Sequence, residues 1–182
     1  QLQPEPLPTE VAVPKIDVPA LEAAADDADP AHRVVLPGSV LEAGFAQSGQ
    51  IFDGAFQALG GRELDGKLAS ELVQSPKQHR GELLRARCSV EDMRELPDPA
   101  AQDESRWFVR GRLEDGAKVF LAVKEIVGIA PVPGDFVRVD GLFVRAHRVE
   151  LDGAWVEAPL LVGPRLVESY ARLAPVKELA PE

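Results

Sequence analysis

The chain has 182 residues, 45% of them hydrophobic, with a formal net charge of −10 and a pI near 4.8. That length supports one folded domain with appended segments rather than two full domains. The single cysteine, Cys88, excludes an intrachain disulfide and cannot by itself hold a metal, and no run approaches the roughly 18 apolar residues of a membrane-spanning helix.

The acidity is uneven. Residues 1–32 carry −6, residues 33–79 −1, residues 80–166 −2 and residues 167–182 −1. Most of the negative charge therefore belongs to the N-terminal stretch, and the pI does not exclude an anionic ligand elsewhere. Residues 1–32, with Pro4, Pro6, Pro8, Pro14, Pro19 and Pro30 among alanines and acids, have the composition of a polyproline-biased tether carrying short apolar beads at 11–13 and 16–21.

Residues 33–79 read as a helical segment that packs on the β-rich half of the chain. Leu41, Phe45, Phe52, Phe56 and Leu59 recur at helical spacing and predict one amphipathic helix over 39–59, ended by Gly60-Gly61. Gly44, Gly49 and Gly54 each weaken it by about 1 kcal/mol relative to Ala, so it needs a surface to pack against. A second helix is expected across Leu64, Leu68, Leu72 and Val73, ending before Ser75-Pro76 because the residue before proline disfavours helix.

After Pro76 the period changes from about 3.6 to 2. Leu84, Ala86, Cys88 and Val90 form the inward side of a first strand; Trp107, Val109, Gly111 and Leu113 form that of a second. Glu114-Asp115-Gly116 turns into a third through Val119, Leu121 and Val123. A fourth strand spans residues 136–144, and Asp152-Gly153 turns it into a fifth over 155–162. Five short strands and two Asp-Gly hairpins favour a small closed antiparallel barrel over residues 80–166. Residues 167–182 are expected to be a short helix and a loose tail.

The run Ser-Pro-Lys-Gln-His-Arg-Gly-Glu-Leu-Leu-Arg-Ala-Arg at 75–87, Pro-Gly-Asp-Phe-Val-Arg-Val-Asp-Gly-Leu-Phe at 133–143 and Ala-Pro-Leu-Leu-Val-Gly at 158–163 resemble the OB-like domains of uncharacterised, often membrane-anchored bacterial proteins. The resemblance covers about residues 64–165. It implies the fold class, mainly β with α: a five-stranded antiparallel OB-like barrel preceded by a helical segment. It implies no activity and carries over no catalytic residue. The chain departs from the pattern at Cys88-Ser89, where a glycine commonly follows the first strand's basic residues, which bears on the local bulge. A bacterial cell envelope or periplasm is the expected location, the Pro/Glu/Ala-rich start being one that would suit a chain whose signal or anchor has been removed, and the cytoplasm is the alternative.

No catalytic or metal constellation is evident. His32, His79 and His147 are scattered, and the acidic pairs Asp26-Asp27, Asp103-Glu104 and Glu114-Asp115 fall in loops or a turn. The chain is therefore expected to be no enzyme and to need no cofactor. The informative feature is the face opposite the barrel core. If Trp107, Val109 and Leu113 point inward, then Phe108, Arg110 and Arg112 point outward, joined by Phe120 and Lys124 from the third strand and by Arg85 and Arg87 from the first. Such a basic-aromatic face could hold single-stranded nucleic acid, because rings stack on bases and cations track phosphates. Two other readings compete: Phe108 and Phe120 could be the platform that buries the phenylalanine helix, and the arginines could be paired with neighbouring acids. The favoured function is a non-catalytic module that binds protein partners in a larger assembly, with nucleic acid as the alternative.

Overall fold

The computed structural model describes residues 13–52, 54–97 and 105–169. The fold is mainly β with helices ahead of the sheet. In chain order it comprises α1 (Val18–Ala25), the 3-10 turn η1 (Pro30–Val34), α2 (Gly38–Ser48), α3 (Ala55–Ala58), β1 (Arg62–Glu63), α4 (Gly66–Gln74) and α5 (Pro76–His79). Strands β2 (Leu83–Leu96), β3 (Arg106–Leu113), β4 (Lys118–Ile126), β5 (Phe136–Leu151) and β6 (Ala154–Glu168) follow.

The sheet is six-stranded, in the order β1-β2-β3-β4-β6-β5, and β5 pairs back onto β2, so that five strands make a ring. The expectation of a wholly antiparallel set needs correction: β4 and β6 run parallel, from Phe120 opposite Leu160 to Ile126 opposite Leu166. The reason is arithmetic. Strand direction cannot alternate all the way round a closed ring with an odd number of members, so one pair must be parallel. Here the β5–β6 hairpin turns at Asp152-Gly153 and lays β6 between β5 and β4.

Period-2 alternation decides the ring's two faces. Leu84, Ala86, Cys88 and Val90 point inward with Val109, Leu113, Val119, Leu121, Val123, Val137, Val139 and Phe143, forming one core. The register of β2 against β3 slips between Val90 and Asp92, a bulge at Glu91. One end of the ring is stopped by α4, whose Leu68, Ala69 and Leu72 join this core. Asp65 starts that helix by accepting a 2.8 Å hydrogen bond from the Leu68 amide, and Ser75-Pro76 ends it where the sequence predicts.

A second core lies outside the ring. Leu21 of α1 and Val40, Leu41 and Phe45 of α2 cover Phe108, Phe120, Ala122, Leu142, Val144, Leu160 and Val162. The single helix expected over 39–59 is two: α2 stops at Ser48, and Gly54, at φ +98°, starts α3. The tether expected over residues 1–32 also gives way within its span, since α1 and η1 lie inside or across it and Leu21 is fully buried. Its prolines and acids serve helix starts here. The Asp17 carboxylate caps the Ala20 amide with Pro19 in the first turn, and Asp29 caps Ala31 ahead of Pro30. The short helix expected from Val167 begins instead as the end of β6, and its remaining residues, 170–173, lie outside the described residues.

Candidate functional site

The seven residues singled out from the sequence do share the outer side of the ring, and the N-terminal helices divide them. Phe108 and Phe120, at 5% and 0% exposure, stack on each other with centroids 5.7 Å apart beneath α2. They are packing and present no open stacking platform, because the Phe45 helix buries its stripe on them. The Lys124 ammonium lies 5.6 Å above the Phe45 ring and the Arg106 guanidinium 5.1 Å from it.

The other four lie outside the cover of α1 and α2, and acids meet them. Arg85 forms a bidentate pair with Asp140 at 2.7 and 2.8 Å and lies 4.0 Å over the Phe56 ring. Arg87 reaches Glu63 at 3.5 Å, with both side chains about half exposed. Arg112 and Lys118 contact Glu91 at 2.6 and 2.5 Å, and Arg110 lies 3.8 Å from the same carboxylate. Burial would raise the Glu91 carboxyl, but the hydrogen bonds and charges of Lys118 and Arg112 outweigh it and hold the group below the ordinary carboxylate range.

A buried charged cluster, which the sequence did not disclose, joins the N-terminal segment to β5. Arg80 and Asp27, each 2% exposed in its side chain, form a bidentate pair at 2.7 and 2.9 Å. Arg80 also donates to Glu22 at 2.7 Å and to the Val144 carbonyl at 2.6 Å, and Asp27 accepts from the Ala146 amide at 2.8 Å. Those backbone groups belong to β5 just past its last pairing with β2, Leu83 opposite Leu142, so the ion pair continues where the ladder stops. Burial pushes the Asp27 carboxyl up, yet the hydrogen bonds from Arg80 and Ala146 and the charges of Arg80 and Arg145 leave it below the ordinary range.

Arg145, fully buried, donates to the Ala146 carbonyl at 3.0 Å and the His32 carbonyl at 2.8 Å, while Arg33 pairs with Glu157 and donates to the Asp27 carbonyl at 2.8 Å. His147 meets Phe108 and Phe120 edge-on at 5.9 and 5.3 Å, and burial, helped by the charge of Arg145, brings its pKa down to about 4. The one sequence signal for this cluster is Arg145 and His147 interrupting the apolar run that precedes them on β5.

The remaining histidines pair locally, His32 with Asp26 at 3.0 Å and His79 with Glu82 at 2.8 Å. The Cys88 thiol, inside the ring, is pushed up to about 12 by burial and by Glu91. Among the described residues no group of three or more His, Cys, Asp or Glu side chains is placed to hold a metal ion, and no helix is long and apolar enough to cross a membrane.

Apolar surface remains open at one end of the ring. Ile129 and Val132, on the connection from β4 to β5, are 95% and 60% exposed, and Phe136 at the start of β5 is 46% exposed. Ile129 and Phe136 border a cleft of about 200 Å³ lined also by Pro131, Val137 and Leu166 and by the acids Asp135 and Glu168. Compared with known proteins, the chain matches no family model and no curated protein.

Proposed function

We propose that this chain is a non-catalytic OB-like module that binds a protein partner within a larger assembly, in a bacterial cell envelope. The OB reading is supported by the ring itself: five strands, closed between β5 and β2, with a hairpin returning β6 to lie beside β4. The envelope placement rests on the sequence resemblance.

One observation carries the function: the way apolar surface is distributed. OB barrels commonly hold oligonucleotides on the face of their second and third strands. Here those strands are β3 and β4, and their outer aromatics lie under the chain's own α2. Ile129, Val132 and Phe136 have no such cover among the described residues, and an exposed apolar cluster of this kind marks a surface for another protein. A non-catalytic role is supported by Cys88, whose thiol is held protonated inside the ring, and by His147, buried edge-on against two rings.

The test is affinity capture from the source organism with the full 182-residue chain, with and without nuclease, compared with an Ile129→Asp variant. A defined protein set that survives nuclease and is lost in the variant is the expected result. A set unchanged by the variant, or recovery of nucleic acid lost at high salt, would overturn the reading.

A further inference from the structure

The strand registers bring together a surface that spacing along the sequence does not show. Ser89 of β2 stands opposite Arg112 of β3 on one side and Phe136 of β5 on the other, and Arg87 stands opposite Arg138. All five point out of the ring, because Cys88, Val90, Leu113 and Val137 between them point in. Strands lie about 4.8 Å apart, so Arg112 and Phe136 are about 10 Å apart with only a serine between them. The result is a shallow trough with a guanidinium on one wall and a ring on the other.

Its acids include Asp92 opposite Arg110 and Asp135 and Glu168 at the adjoining cleft, and its charge is unbalanced where Arg87 meets Arg138. Arg87, Arg110, Arg112 and Lys118 contact two carboxylates, Glu63 and Glu91. Arg138 has no ion-pair partner among the described residues, and it faces Arg87 directly, an arrangement of like charges that opposes folding. Cations held against one another on an exposed sheet face favour an incoming anion. Beside them, Phe136, Ile129 and Leu166 line the cleft, whose rim also carries Asp135 and Glu168.

We propose that this trough receives an acidic protein segment, its carboxylates on Arg112, Arg138 and Arg87 and an apolar residue in the cleft beside Phe136. The inference rests on the protein-binding reading above and supplies the chemistry of the partner. Two features favour a peptide over single-stranded nucleic acid. Binding without sequence preference uses successive aromatic platforms, whereas Phe136 is the one exposed ring on this face among the described residues: Phe52 near Arg138 and Phe56 against Arg85 are partly buried, and the exposed Trp155 is on the β5–β6 hairpin. The adjoining Ile129 and Val132 are aliphatic, suited to a side-chain anchor and of no use for stacking on bases.

The experiment is fluorescence anisotropy of the full chain with a labelled dodecapeptide rich in glutamate and bearing one Leu-Phe pair. The same peptide with glutamine for glutamate and a labelled oligothymidylate serve as comparisons. The acidic peptide is expected to bind, with affinity falling on added salt and falling about tenfold in Arg138→Glu, in Arg112→Gln and with the glutamine peptide. Phe136→Ala should also weaken it. Arg138 touches no acid among the described residues and Arg138→Glu turns its like-charge pairing with Arg87 into an opposite-charge one, so this variant is expected to melt no lower than the parent and serves as the reference if Arg112→Gln, which loses Glu91, folds poorly. Absence of binding, equal affinity for the glutamine peptide, or binding of oligothymidylate in preference to the acidic peptide would each overturn the proposal. If capture of a partner still depends on Ile129 while the arginine variants change nothing, only the acidic chemistry fails; if capture is independent of Ile129, the binding-module reading itself fails.

Discussion

His147 is neutral in the folded chain because protonation would bury a charge against two phenyl rings, beside Arg145. Its pKa moves from the ordinary 6.5 to about 4, so between those values the unfolded chain holds a proton that the folded chain does not. Stability therefore falls as pH drops through that window, by about 3 kcal/mol at its lower end. Denaturant unfolding at several pH values should show this slope, and His147→Phe should flatten it. The depressed Asp27 carboxyl acts in the same sense at lower pH: its contribution is complete above the unfolded value and is lost as pH falls through the lower folded one. Arg80→Ala strands that carboxylate in the interior, and unfolding measurements should register a loss of about 3–5 kcal/mol. At this scale the sequence was half legible. The inward residues of β2, β3 and β4 followed from alternation, but Asp27 and Arg80 are 53 positions apart and nothing local pairs them.

At the scale of elements, α2 depends on close approach to the ring. A Cβ on Gly44 would come within 2.8 Å of a Val162 methyl carbon, and a β-branched neighbour on a strand has little freedom to give way. Gly44→Ala is therefore expected to destabilise by about 1–3 kcal/mol in thermal or denaturant unfolding, although alanine is the better helix former. The phenylalanine stripe announced a buried helix; what spacing alone could not show is that Gly49 and Gly54 divide it. In the N-terminal stretch, composition outweighed a local signal. Asp17 and Asp29, each followed closely by proline, are helix starts.

For the whole molecule, the same helices that complete the second core decide which surface remains for a partner. The outward direction of Phe108, Arg110 and Arg112 was legible from period-2 alternation, but whether an outward residue is open depends on what packs over it. Phe136 was read as a strand residue and acquired its setting only through the register of β2 against both β3 and β5. Ile129 makes no part of either core, so Ile129→Asp is expected to leave unfolding free energy within about 0.5 kcal/mol of the parent while removing partner capture. The most direct measurement is site-specific photocrosslinking in a lysate of the source organism, with the reactive group at Val132 in one chain and at Lys77, on α5, in another. Discrete protein adducts from Val132 that are lost when Ile129→Asp is added, with none from Lys77, are the predicted result. Equal adducts from both positions, or adducts indifferent to Ile129→Asp, would contradict a protein-binding surface at this end of the ring.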